Sequence, residues 1–194
     1  MPDYAALERP MRECFQFHDL DVLDHGHAVR AKFDALIAAM EKGETPEGDW
    51  SLPQWLLPNA EQLLGRLLDR ETLARYQIWH DCGKPHCRTV DEAGKQHFPD
   101  HAAASARTWL AAGGDEQAGR LIASDMDFHL LGAEDVPAFA ARPEAASLML
   151  TAIAEIHANA EMFGGTCSTS FKMKRKHLER RGKKVLEAWQ QPQS

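Results

Sequence analysis

The sequence is poor in the features that mark secreted, disulfide-bonded and membrane-spanning proteins. Its four cysteines form no CxxC pair, which argues against a cysteine zinc site and against a disulfide scaffold. No stretch approaches the roughly 18 apolar residues of a membrane span, and no basic segment followed by an apolar run marks a secretory signal. We therefore expect a cytoplasmic protein with no membrane partner.

Strand signals are scarce too, since no run alternates β-branched and aromatic residues between turn residues. Helical spacing dominates instead, as where His25, Val29, Phe33 and Leu36 share one face and His27 lies on another. The patterns predict an all-α protein with a long loop over residues 41–55. Helices are expected at residues 24–40, 60–81 (one or two helices), 99–110, 115–131, 143–162 and 171–189.

Charge is unevenly distributed along the chain. The formal net charge of -7 argues against non-specific coating of nucleic acid. Residues 172–184, however, hold eight Lys and Arg against one Glu. This basic segment predicts a local anionic partner and makes Lys172 and Lys174 candidate substrate-binding residues, although a solvated helix face is an equal alternative.

A glycine pair precedes the basic segment in the string FGGTCSTSFKMKRK. Gly164 and Gly165 could bring backbone amides close to an anion, with neighbouring hydroxyl groups as further donors. The string lacks the G-x-x-x-x-G-K-[ST] pattern of a Walker loop, so any anion site here would be of another kind.

Three histidines and an aspartate lie near predicted helix ends: His25, His80, Asp81 and His101. A metal that activates water on a phosphoester needs imidazoles and carboxylates together, with coordination positions left open for water and substrate. Any one of these histidines alone would be read as a core or surface residue. What favours a shared metal site is the string that begins at His80 and Asp81.

The string HDCGK matches the HD-x-G-K pattern of the HD phosphohydrolase superfamily. HDLDVLDHGHAV resembles a stretch of the HD domains in bacterial CCA-adding tRNA nucleotidyltransferases, and GKQHFPDHAAASA is similar to another stretch of those domains and of HD modules fused to RNA-end-healing polynucleotide kinases. The resemblance covers residues 15–162. It implies an HD-domain helical bundle with core 15–162 and a basic helical extension over 163–194. The length of the chain separately favours a single compact domain over residues 1–194.

The resemblance also implies a ligand set for one or two divalent transition-metal ions, of Mn, Ni, Co, Fe or Zn. His25, His80, Asp81 and Asn159 would hold one ion, and His101, Asp125 and His129 would hold or face a second. Asp125 stands where the family has histidine, and Asn159 where it has aspartate, with His157 as an alternative to Asn159. Asp125 and His129 are four residues apart and are expected on one helix face.

The activity implied is that of a metal-dependent phosphohydrolase. It would cleave a phosphomonoester or a (cyclic) phosphodiester of a nucleotide or RNA end through metal-activated water. Asp81 and Lys84 would be catalytic, with Lys84 offering its charge to a phosphate oxygen, and His18 would contact substrate. A small-molecule 5′-nucleotidase and an inactive nucleotide- or RNA-binding module are the alternatives.

Overall fold

The structure, a computed structural model, describes residues 2–191 and confirms the all-α class. The helices are α1 (Tyr4–Arg12), α2 (Val22–Lys42), α3 (Ala60–Leu64), α4 (Arg70–Trp79), α5 (Lys84–Cys87), α6 (His101–Ala111), α7 (Glu116–Ala123), α8 (Asp127–Leu130), α9 (Val136–Ala140), α10 (Ala145–Ala158) and α11 (Thr169–Gln190), with 3-10 turns at Leu57–Asn59 and Glu161–Phe163. Two short antiparallel hairpins pair β1 (Phe15–Phe17) with β2 (Leu20–Asp21) and β3 (Thr89–Val90) with β4 (Gln96–His97). Within residues 2–191, no helix is both long and apolar enough to cross a bilayer.

The chain divides into two compact units, each built from two separate segments. Among the described residues, unit 1 comprises residues 2–30 and Asp69–Met126, and unit 2 comprises Ala31–Leu68 and residues 127–191. One boundary falls inside α2. None falls at residue 163, and the division into a core 15–162 and an extension 163–194 stays a prediction.

Aspartates fix where two helices of unit 1 begin. Asp21 accepts a hydrogen bond from the backbone N–H of Asp24 at 2.7 Å and another from Arg12 at 3.0 Å, which caps the start of α2. Asp69 accepts from the backbone N–H of Thr72 at 2.8 Å and caps α4. Such caps satisfy N–H groups that have no partner within the helix.

Unit 1 is packed around stacked tryptophans. The rings of Trp79 on α4 and Trp109 on α6 lie 6.3 Å apart, and Tyr4 of α1 stacks on Trp79 at 5.3 Å. The indole N–H of Trp109 donates to the backbone oxygen of Asp115 at 2.9 Å, so this fully buried ring keeps its polar atom satisfied. These contacts hold α4 and α6, which carry His80 and His101, in one core.

Unit 2 is packed around α10, which is buried along most of its length. The loop predicted over residues 41–55 follows α2, and Trp55 fixes the end of this loop to α11. The Trp55 indole N–H donates to the backbone oxygen of Glu179 at 3.0 Å, and a Cβ at Gly182 would lie 2.2 Å from the Trp55 ring. Only glycine fits against the indole at this position.

The prediction of one helix over residues 115–131 is wrong, because the chain turns between α7 and α8. The N–H of Ser124 bonds back to Arg120 and Leu121, and the N–H of Asp125 bonds to Ile122 at 3.3 Å, so the last turn of α7 tightens and ends. Asp125 lies in this turn in unit 1 and His129 on α8 in unit 2. The two do not share a helix face as their spacing predicts.

Candidate metal centre

Asp81 in unit 1 is surrounded by three histidines and a lysine. Its side chain is 1% exposed, and its Oδ2 atom lies 3.2 Å from Nε2 of His80, 3.6 Å from Nε2 of His25 and 2.6 Å from Nζ of Lys84. Its Oδ1 atom lies 3.8 Å from Nε2 of His101. The structure therefore brings together the four residues that the sequence placed near helix ends.

Gly83 positions His101 beside this carboxylate. Its backbone N–H donates to the hydroxyl of Ser105 at 2.9 Å, and a Cβ at Gly83 would lie 2.2 Å from the backbone nitrogen of Ser105. The turn after Asp81 can approach α6 this closely only because residue 83 has no side chain. His101, the first residue of α6, is carried to Asp81 by this contact.

Gly26 has the same role for His25. A Cβ at Gly26 would lie 2.2 Å from the carbonyl oxygen of Ile78 on α4, so α2 and α4 touch backbone to backbone. His25 precedes Gly26 and is fully buried, and one of its ring nitrogens lies within 4.8 Å of one of His80. His27 is exposed, as the helical pattern predicts.

The backbone fixes which ring nitrogen of two histidines faces Asp81. Nδ1 of His80 lies 2.8 Å from the carbonyl oxygen of Gln77, and Nδ1 of His101 lies 3.2 Å from that of Phe98. A carbonyl only accepts, so each Nδ1 carries a proton and donates it to the backbone, and Nε2 is the ring nitrogen on the side of Asp81. Histidine ligands of metals are oriented in this way.

Asp81 is ionised at neutral pH. Burial by itself raises the pKa of a carboxyl group, but the nearby His80 ring and the Lys84 ammonium outweigh it and hold the pKa of Asp81 well below 3.8. Lys84 is 12% exposed, contacts the side-chain oxygen of Gln16 and lies 5.4 Å from the centre of the Phe98 ring. Lys84 is therefore part of the site and not a solvated surface lysine.

These donors suit a divalent metal. Imidazole nitrogens and carboxylate oxygens are ligands that Zn, Ni, Co, Fe and Mn accept. The His25–His80 pair could hold such an ion, with Asp81 and His101 as further donors.

Asp125 is hydrogen-bonded to a tyrosine whose ring contacts His80. The hydroxyl of Tyr76 donates to Oδ1 of Asp125 at 2.7 Å, and both side chains are buried. The Tyr76 ring meets the His80 ring edge-on at 6.4 Å. Tyr76 thus connects Asp125 to a candidate ligand, and a direct role of Asp125 on the metal stays a prediction.

The remaining candidate ligands, His129 and Asn159, lie in unit 2. Nε2 of His129 is 2.9 Å from a carboxylate oxygen of Glu155 on α10. Asn159 ends α10, and its buried Oδ1 accepts no hydrogen bond from residues 2–191. That oxygen is the atom a metal would take, and its role stays a prediction.

His157, the alternative to Asn159, has both ring nitrogens engaged. Nδ1 lies 2.7 Å from the carbonyl oxygen of Ile153, and Nε2 accepts from the backbone N–H of Ser51 at 3.1 Å. Burial lowers the pKa of His157, which favours the neutral ring this arrangement needs. These bonds favour the structural role, which is to hold the 41–55 loop on α10.

The candidate substrate-binding residues are all exposed. His18 lies at the tip of the β1–β2 hairpin with a φ of 46°, its ring 4.1 Å from that of Phe17. Lys172 and Lys174 lie on α11, and the ammonium of Lys174 is 4.6 Å from the centre of the Phe163 ring. His18 belongs to unit 1 and the two lysines to unit 2.

The glycine pair does not cradle an anion. The N–H of Gly164 donates to the carbonyl of Glu161 at 2.9 Å and that of Gly165 to Ala160 at 2.8 Å. Both glycines have φ above 80°, which closes the chain after a 3-10 turn. Thr166 bonds to Asp49, so the hydroxyl is occupied as well.

Sequence reasoning missed four residues that support the candidate ligands: Gln16, Tyr76, Ser105 and Glu155. Ser105 carries a signal, since it is the serine of GKQHFPDHAAASA, one helical turn after His101. Tyr76 lies four residues before His80, a helical spacing that also marks it. The bonds of Gln16 to Lys84, of Tyr76 to Asp125 and of Glu155 to His129 span long stretches of chain, which no spacing rule marks.

Comparison of the chain with protein-family models, with curated proteins and with solved structures finds no match.

Proposed function

We propose that the chain is a metal-dependent phosphohydrolase of the HD class. The observation that carries the proposal is the convergence of three histidine Nε2 atoms on the buried, ionised Asp81, with Lys84 beside them. A divalent ion held there would polarise a phosphoryl oxygen and lower the pKa of bound water toward neutrality.

The residues of the site have separate tasks in this proposal. His25, His80, His101 and Asp81 would bind the ion, and the two Nδ1–H bonds to backbone carbonyls hold Nε2 of His80 and His101 on the side of Asp81. Lys84 carries a positive charge that can pair with a phosphate oxygen as well as with Asp81.

The substrate proposed is a phosphomonoester or cyclic phosphodiester of a nucleotide or RNA end. Exposed lysines on α11, at positions 172, 174 and 176, support a substrate with several phosphates. Replacing Lys172, Lys174 and Lys176 with glutamine is expected to weaken oligonucleotide binding and to reduce its dependence on salt concentration. Turnover of a small ester should stay unchanged. Equal loss on both substrates would indicate damaged folding and would remove the support for RNA.

The activity is tested with purified protein loaded with Mn, Ni or Co. The substrates are an aryl phosphate ester, a panel of mononucleotides and an RNA with a 2′,3′-cyclic phosphate end. We expect turnover that a chelator abolishes and that returned metal restores. No turnover with any metal would refute the hydrolase, and retained nucleotide or RNA binding would then favour the inactive module.

The site is tested with a matched pair of histidines on α2. His25→Ala is expected to lower bound metal and abolish turnover, because its ring is buried beside His80. His27→Ala, two residues away on the exposed face, should leave both unchanged. Metal content is measured by plasma mass spectrometry, and equal behaviour of the two variants would refute the assignment.

A further inference from the structure

Gln16, on β1 of unit 1, reaches the candidate metal centre through Lys84. Its side-chain oxygen accepts a hydrogen bond from the Lys84 ammonium. An ammonium group only donates, so the amide must present its oxygen to Lys84 and turn its NH2 group elsewhere. The orientation of the Gln16 amide is thus fixed by the charge of its neighbour.

The NH2 group of Gln16 has no acceptor. Its Nε2 atom is buried, and within residues 2–191 no group accepts a hydrogen bond from it. A buried donor without an acceptor destabilises a protein, so such groups are rare and call for an explanation. An oxyanion beside Lys84 would supply the missing acceptor.

We propose that Gln16 is a substrate-binding residue whose Nε2–H donates to an oxygen of the phosphoryl group that Lys84 pairs with. The ligand class is a tetrahedral oxyanion, and the cleavage of an ester rests on the proposed function. Lys84 and Gln16 together offer a charged and a neutral donor next to Asp81. Hydrogen bonds to charged groups are stronger than neutral ones, which favours an anion at this position.

The probe is inorganic phosphate, added to the full chain loaded with Mn²⁺. Binding is measured by calorimetry and by relaxation of the phosphate ³¹P signal, which also detects weak binding. Gln16→Ala is expected to weaken phosphate binding by about tenfold to a hundredfold, the effect of one hydrogen bond to an anion. Bound metal should stay unchanged, and so should phosphate binding in the control Gln62→Ala on α3.

A double-mutant cycle separates direct contact from positioning of Lys84. If Gln16 donates to phosphate itself, Gln16→Ala weakens binding in a Lys84→Met background as well. An effect that vanishes or cannot be measured in that background overturns the proposal, as does wild-type protein that binds no phosphate. Gln16-dependent phosphate binding without ester turnover would sustain the inference and refute the hydrolase. Ester turnover by the wild-type protein, together with unaltered phosphate binding in Gln16→Ala, would refute the inference and sustain the hydrolase.

Discussion

Substituting Gly83 with alanine is expected to damage both the stability of unit 1 and its metal site. The new Cβ would lie 2.2 Å from the backbone nitrogen of Ser105 and 2.4 Å from the carbonyl carbon of Ala104. Carbon atoms in contact prefer separations of about 3.5 Å or more, so α6 must retreat by about 1 Å. Since backbone atoms are in the way, no side-chain rotation relieves the clash.

The expected loss in the free energy of unfolding has two contributions. Overpacking of this kind destabilises by about 1–3 kcal/mol. The hydrogen bond from the Gly83 N–H to the Ser105 hydroxyl, 2.9 Å long in the structure, is worth about 1 kcal/mol more. We expect a loss of about 2–4 kcal/mol, a large share of the roughly 5–15 kcal/mol by which a domain is stable. His101 moves with α6 away from Asp81, so bound metal should fall too.

The assay is urea-induced unfolding followed by circular dichroism, combined with metal analysis. The matched control is Gly65→Ala, since the nearest atom to a Cβ at Gly65 is a carbonyl oxygen of the preceding turn at 3.3 Å and its φ is negative. That variant should unfold within about 1 kcal/mol of wild type. A Gly83→Ala protein with wild-type stability and metal content would refute the close approach of the turn and α6.

Three further predictions concern unit 1. Gly26→Ala should lower the free energy of unfolding by about 1–3 kcal/mol, measured in urea, because its Cβ would meet a carbonyl oxygen of α4 at 2.2 Å. Tyr76→Phe, which leaves buried Asp125 without its 2.7 Å donor, should cost about 1–3 kcal/mol in the same assay, and an unchanged midpoint would contradict that bond. The backbone N–H of Thr72 donates to Asp69 and lowers the pKa of its carboxyl group below 3.8. The stability that the ionised Asp69 adds by capping α4 is therefore present at neutral pH and is lost as pH falls below about 4. Urea unfolding of Asp69→Asn, measured between pH 7 and 3, should not show this acid-dependent loss of stability.

The parts of the fold that sequence predicts are those with local signals. The helices that carry His25 and His80 begin at aspartates that cap them, and Gly83 follows the end of the second. Helical spacing also places His25 inside and His27 outside. These signals act within a few residues, so they can be read without knowing what packs where.

The parts that sequence could not predict depend on contacts across the chain. The turn at Asp125 follows from how the last turn of α7 closes, and its tyrosine partner lies on another helix. The amides of Gly164 and Gly165 bond to nearby carbonyls, a choice that the composition of the string does not reveal. Gln16 lies on a short hairpin strand whose sequence has no strand periodicity, so its contact with Lys84 could not be predicted.

The discontinuity of unit 1 has a consequence for how the chain assembles during synthesis. His25 comes from the first segment of the unit, and Asp81 and His101 come from the second, after the whole of Ala31–Leu68. Contacts between distant segments form slowly because a long loop must close first. The N-terminal segment therefore leaves the ribosome well before its partners, and unit 1 can complete its core only once α7 has been made.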